Sequence, residues 1–446
     1  MIAAQGNVLL RPELLERMEQ ARARTDELFA ILQSDSLYER PIPERHRIIF
    51  YVGHLEAFEW NLFRSQLLSL EPFDPKLDRL FAFGIDPIGG GLPSDRLSDW
   101  PSLKDVERYR DRIRRTLDSA LPESLATDSQ PRELNPEVLL NVAIEHRLMH
   151  AETLAYMFHQ LPLDQKIVPR RMLHLSTGAW APAMIEIPTG SATLGISRSD
   201  ETFGWDNEYE ENTVEVPAFA IDRYKVSNGE YLEFVVAGGY MNKAFWSEAD
   251  WQWISAQKIS HPSFWSRTNN GDGEWRLRTM FEDIPLPFSC PAYVSHAEAS
   301  AYARWARKNL PTEAQWHRAA FGTSGGPERD YPWGSQPPDA TRGNFDFSHW
   351  DPTPVNAFPN GASAFEVTDM LGNGWEWTST PFAPFPGFKS FPFYPGYSAD
   401  FFDGKHYVLK GGSARTAACM LRRSFRNWFQ PHYQYVYAGF RCVSQP

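Results

Sequence analysis

Cysteine is scarce in this 446-residue chain: Cys290, Cys419 and Cys442 stand far apart, with no CxxC pair among them. That excludes a disulfide framework and a thiolate-rich zinc cluster, and it suits a reducing cytoplasm. Long apolar runs are also missing. No stretch reaches the roughly 18 apolar residues of a membrane-crossing helix. The opening residues, Met1 to Gly6, lack the charged start and apolar core of a secretory signal, so no leader is expected. Positive charge is in deficit, with 44 Lys and Arg against 56 Asp and Glu and a net charge of −12. This argues against a broad nucleic-acid-binding surface. No self-similarity recurs at the period of about 20–50 residues that marks repeat arrays.

What is abundant points elsewhere. There are 30 Phe, 17 Tyr and 16 Trp together with 35 Pro and 29 Gly. Many large rings among many turn residues predict a loop-rich domain pinned by aromatic packing. The length exceeds one ordinary core of about 100–200 residues, so two or three domains are expected. Residues 1–165 carry helical periodicity: Pro12 to Gln33, a segment from Pro43 to Leu70, Leu103 to Leu121, and a segment opened by Asn135-Pro136 and running to Gln160. Pro43 suits a first helical turn, and Asn135-Pro136 reads as N-cap then first helical residue. Four such segments predict a four-helix bundle. Residues 166–185 read as a linker, and residues 186–446 as a second domain of short strands and long loops. In that domain the capping pattern Ser295-His296-Ala297-Glu298 opens one clear helix to Lys308, and Thr312 to Ala320 forms another. The fold class is therefore α+β.

The fourth helical segment contains His146-Arg147-Leu148-Met149-His150. At about 100° per residue the two imidazoles lie only about 40° apart, one turn along the same face. One helix can chelate one metal ion this way. His54 is the natural third ligand, because it interrupts an apolar helix and an ionisable group there is costly unless paired or ligated. His46, flanked by Arg45 and Arg47, is expected to face water, and His159 lies about half a turn around from His150. Three imidazoles leave coordination positions open. Spacing alone leaves zinc, ferrous iron and other divalent metals as candidates.

Four ordered motifs in the second half carry a resemblance. Leu310-Pro311-Thr312-Glu313-Ala314-Gln315-Trp316, Asp369 to Trp377, Lys410-Gly411-Gly412-Ser413 and Ala438-Gly439-Phe440-Arg441 resemble the formylglycine-generating-enzyme fold, a C-type-lectin-like scaffold. With a DinB-like bundle bearing three histidines ahead of it, the whole chain resembles the ergothioneine-biosynthetic sulfoxide synthases. Tyr51 to Phe58 and the histidine pair belong to that likeness. It implies a cytoplasmic enzyme in which Fe(II), held by His54, His146 and His150, joins a thiol to the imidazole of trimethylhistidine using O2. Carried over to this chain, it makes Tyr394 of Phe393-Tyr394-Pro395-Gly396-Tyr397 the phenol that donates a proton to an oxygen species, with Tyr397 beside the substrate. In Arg426-Asn427-Trp428, it makes Asn427 and Trp428 the residues that hold the trimethylammonium end.

The chain departs from that family in three places. Arg147 and Met149 replace a Glu and a Gln between the histidines. Met149 lacks the hydrogen bond that Gln offers an imidazole substrate. Phe429 and Tyr433 stand where relatives using γ-glutamylcysteine carry Asp and Arg. A compact thiol such as free cysteine is therefore the expected donor, with Arg96 as the cation for its carboxylate. The alternatives are a DinB-type thiol transferase, a related iron oxygenase with another substrate pair, and a binding module with an inactive metal site. A copper-dependent formylglycine-generating oxidase is excluded, because it needs a cysteine pair after Gly-Gly-Ser, and Cys419 has no cysteine near it, the next being Cys442.

Overall fold

The computed structural model describes residues 11–82, 92, 95–126, 135–168, 180–200, 202–268 and 273–445. The chain divides into two compact units, Met1–Arg170 with Glu201–Phe203, and Arg171–Asp200 with Gly204–Pro446.

The first unit contains helices α1 (Arg11–Phe29), α2 (Ile48–Phe63), the short α3 (Pro75–Leu80), α4 (Leu103–Ala126) and α5 (Pro136–His159). In α4, Val106, Tyr109, Ile113, Leu117, Leu121 and Leu125 are buried at spacings of three and four, the stripe of a helix lying on a core. The end expected at Leu121 is too early, because Pro122 does not stop the helix. Leu121 and Leu125 are both buried, and the helix runs on to Ala126. Helices α2 and α5 are buried on nearly every face. The Asn135 side chain caps α5 by accepting from the Glu137 N–H at 2.9 Å. The start expected near Pro43 is too early, since α2 begins at Ile48 and Pro43 lies in the turn before it. No helix of the described residues is long and apolar enough to cross a membrane.

The second unit is short strands and connecting loops, with β1 (Met184–Ile187) opening just before the boundary expected at residue 186. It continues with β2 (Gly190–Leu194), β3 (Asn212–Val216) and β4 (Phe219–Asp222), then α6 (Asn228–Val236) and α7 (Glu248–Gln257). Next come β5 (Trp265–Arg267), β6 (Trp275–Arg278), β7 (Asp283–Pro285), α8 (His296–Trp305) and α9 (Glu313–Phe321). The last strands are β8 (Trp375–Pro381), β9 (Tyr407–Lys410), β10 (Asn427–Phe429), β11 (Ala438–Gly439) and β12 (Val443–Ser444). The sheets run β1-β4-β12, β10-β9-β8-β11, β5-β6-β7 and the pair β2-β3. Helices α8 and α9 sit where expected, capped by Ser295 and Thr312. Helices α6 and α7 were not expected. They are short and flanked by turns, so their marks are the caps Ser227 and Ser247 rather than a long periodic stripe.

Three of the four motifs meet at one carboxylate. Glu376 accepts from Lys225 Nζ at 2.6 Å, Arg441 Nε at 2.6 Å and Trp316 Nε1 at 2.9 Å. Burial would raise its pKa, but the Arg441 and Lys225 charges outweigh that and hold the carboxyl down at about 2. The fourth motif turns the chain tightly: Gly411 has φ +99°, and a Cβ there would stand 2.7 Å from the Met370 carbonyl oxygen.

Candidate metal centre

His54 on α2 and His146 and His150 on α5 converge, with one nitrogen of each ring within 4.8 Å of the others. Among the described residues this is the one such group. All three rings are buried. His54 Nδ1 lies 2.8 Å from the Phe81 carbonyl oxygen. A carbonyl only accepts, so Nδ1 carries the hydrogen and Nε2 keeps its lone pair. That Nε2 stands 3.2 Å from His150 Nε2. Close approach of Phe81 depends on Gly53, where a Cβ would lie 2.4 Å from the Phe81 ring.

The electrostatics favour neutral rings. Burial, opposed by the Phe81 hydrogen bond, pushes His54 down to about 4. His146 and His150 are lowered by burial first and then by neighbouring imidazoles and Arg147. Neutral imidazoles with inward lone pairs are the form that binds a metal. The walls are apolar, with Phe50 stacked on His54 at 4.9 Å and Phe58 on His146 at 3.5 Å between ring centres. Three nitrogen donors without a carboxylate or thiolate suit a borderline divalent ion with open positions. The residues therefore fit a metal.

His46 does not face water. It is half-buried, its ring 4.3 Å from Phe50 and 6.5 Å from Trp100, because the turn before α2 folds it onto these rings. His159 is buried outside the metal group. The segment of residues 86–100, which carries Arg96, lies in large part outside the described residues, namely at 86–91, 93 and 94. Within its described part, Arg96 is exposed. Asp95 pairs with Arg40 and Arg47 and accepts from Trp100 Nε1 at 2.7 Å.

In the second unit the structure brings Tyr394, Tyr397, Asn427 and Trp428 together. The Tyr394 and Tyr397 rings are 5.5 Å apart, and Tyr397 meets Trp428 edge-on at 5.5 Å. Trp428 stacks on Phe382 at 4.2 Å, and its backbone N–H donates to Asn427 Oδ1 at 2.8 Å. Arg426 holds this strand by donating to both Glu313 carboxylate oxygens, at 2.9 and 3.1 Å. Phe429 and Tyr433 stack on each other at 5.2 Å.

Two residues that sequence reading missed seat the tyrosine loop. Trp205 stacks on Tyr397 at 4.0 Å, and the fully buried Asp206 accepts from Ser398 Oγ at 2.6 Å. Burial, against that hydrogen bond, raises the Asp206 carboxyl to about 6. Burial and then the Asp206 charge push the Tyr394 phenol up to about 12, so it stays protonated. The only local signal was an acidic stretch, Asp200 to Glu211, because Asp206 and Ser398 are 192 residues apart.

Residues 174–446 match the sulfatase-modifying factor enzyme 1-like domain, and residues 17–154 match the DinB superfamily. The hercynine oxygenase of Mycolicibacterium thermoresistibile is 32% identical over 443 residues, covering 97% of this chain and 95% of that protein. That of Mycolicibacterium smegmatis is 32% identical over 451 residues, covering 98% and 99%. The hercynine oxygenase of Mycobacterium tuberculosis is 42% identical over 254 residues, covering 56% of this chain and 58% of that protein.

Proposed function

The chain belongs to the hercynine oxygenase family, and on that premise we propose that it joins a thiol to hercynine, the trimethylated histidine, in ergothioneine biosynthesis. The balance closes with O2 alone. The thiol S–H and an imidazole C–H break, C–S and S=O bonds form, and the second oxygen leaves as water with both hydrogens. The observation that carries this reading is the buried, neutral cluster of His54, His146 and His150. These three would hold ferrous iron, which supplies one-electron redox chemistry toward O2 when bound.

The rest of the work falls to the chain's own groups. The apolar rings around the histidines exclude water. Tyr394 keeps a proton on its hydroxyl through the neutral range and serves as the general acid. Trp428 and Tyr397, with Phe382 beside them, offer ring faces to the trimethylammonium group, and Asn427, next to Trp428, helps to hold that same end. The stacked Phe429 and Tyr433 provide no charge for the extra amine and carboxylate of γ-glutamylcysteine, which supports free cysteine as the donor. Arg96 is the proposed partner of the cysteine carboxylate. The site of action on this reading is the cytoplasm, where Cys290, Cys419 and Cys442, none of them in a disulfide, stay reduced.

The test is anaerobic loading with iron, followed by oxygen uptake with hercynine and a panel of thiols, with product masses recorded. One iron per chain and a hercynine-dependent sulfoxide are expected. Thiol transfer without oxygen uptake would overturn the reading in favour of a transferase. A wild-type preference for γ-glutamylcysteine would reject cysteine, and unchanged cysteine use in Arg96→Ala would reject Arg96.

A further inference from the structure

Arg147 directly follows the ligand His146, yet it is only 1% exposed and does not join the metal group. Its guanidinium is instead fully engaged on other helices. Nε donates to Glu59 Oε1 at 2.5 Å, and Nη1 donates to Thr25 Oγ1 at 3.1 Å and Glu56 Oε1 at 3.2 Å. Nη2 donates to the Leu55 carbonyl at 3.2 Å and lies 3.1 Å from Glu56 Oε2. Leu55 directly follows His54, so this bond joins the residue after one ligand to the residue after another. Both glutamates are braced from behind. Glu56 accepts from Arg114 at 2.7 Å, and Glu59 accepts from Arg22 at 2.7 Å. Arg22 also reaches Asp118 at 2.6 Å, and Arg114 reaches Asp26 at 2.6 Å. The network thus touches α1, α2, α4 and α5.

Helices α2 and α5 are buried nearly all round, so apolar packing alone leaves their axial register weakly specified. A slip of one residue translates a helix by about 1.5 Å and turns its side chains by about 100°. A metal site tolerates displacement of only about 0.5 Å. A planar buried fork answering two carboxylates and a carbonyl has one satisfactory placement, and any slip leaves buried charges unpaired. We propose that Arg147 is a positioning residue that sets the register of α5 against α2 and so brings His146 and His150 to His54. This rests on the three histidines being a metal site.

Cobalt(II) is the probe, read by its affinity and visible absorption at a temperature where circular dichroism shows each variant folded. Arg147→Lys keeps the charge but loses the fork. It should retain helix content while weakening cobalt binding by ~10–100-fold and changing the absorption bands. Arg147→Met should weaken binding at least as much if it folds. Arg114→Ala removes a member of the same network that adjoins no ligand. It should lower the unfolding temperature with cobalt affinity within about twofold of wild type. Wild-type affinity and bands in Arg147→Lys would overturn the proposal. Equal weakening in Arg114→Ala would also overturn it, since the effect would then be one of general stability. Absence of cobalt binding by the wild type would instead refute the metal site itself.

Discussion

In the first unit the three histidines stand on the regular backbone of α2 and α5, while in the second unit Tyr394 and Tyr397 stand on a loop and Asn427 and Trp428 on the edge strand β10. The helical site is stiffened by intrahelical hydrogen bonds and by buried ion pairs at Glu56 and Glu59. The aromatic site is held by ring stacking on Trp205 and Phe382 and by the Asp206–Ser398 bond. The difference teaches that the metal affinity and the proton donation proposed above would reside in separately built parts. Damage to one should therefore leave the other measurable.

The strongest way to break that comparison is His150→Ala. It should abolish stoichiometric metal and all oxygen consumption, while near-ultraviolet dichroism from the Tyr397–Trp428 cluster stays intact. Metal content still near one per chain would refute the ligand set. Tyr394→Phe attacks the other part. Sulfoxide formation should fall by ~10²–10⁴-fold with metal content unchanged, and oxygen should be diverted toward oxidising the thiol alone. A wild-type product ratio and rate in this variant would remove Tyr394 from the chemistry.

Gly53→Ala sharpens the helical side. The added methyl would meet the Phe81 ring at 2.4 Å, so Phe81 must shift and loosen its carbonyl from His54. Thermal unfolding without metal should show a loss of about 1–3 kcal/mol. Wild-type stability together with wild-type metal affinity would show that the Phe81 contact is not tight.

The smallest effect is reserved for Asp206→Asn. The folded carboxyl titrates at about 6 against an ordinary 3.8, so folding binds its proton more tightly. Its favourable contribution is complete below about pH 4 and is lost as pH rises through about 6. Asparagine keeps an acceptor for Ser398 and cannot ionise, so urea midpoints should lose that slope between those values. An unaltered slope would mean that Asp206 is not the group responsible.

Spacing on one helix made His146 and His150 legible as a pair, because a 3.6-residue turn puts positions four apart on one face whatever surrounds them. His54 was legible for a related reason, as a polar residue inside an apolar run. Tyr394, Asn427 and Trp428 were reached only through resemblance, since nothing in the periodicity of a loop distinguishes one aromatic residue from another. Helices α6 and α7 were missed because each is too short to establish a stripe.

Local chemistry in the sequence was thus sufficient for the presence of the long helices, the caps Asn135 and Ser295, the loop-rich second half and the identity of the three imidazoles. Tertiary structure alone decided that His54 Nε2 would lie 3.2 Å from His150 across 96 residues. It also turned Arg147 away from the histidine cluster into the Glu56–Glu59 network and set Asp206 beneath Ser398. Periodicity constrains neighbours within a turn or a strand. Partners about a hundred or more residues apart are chosen by how everything between them packs, and by which buried charge finds another to answer it.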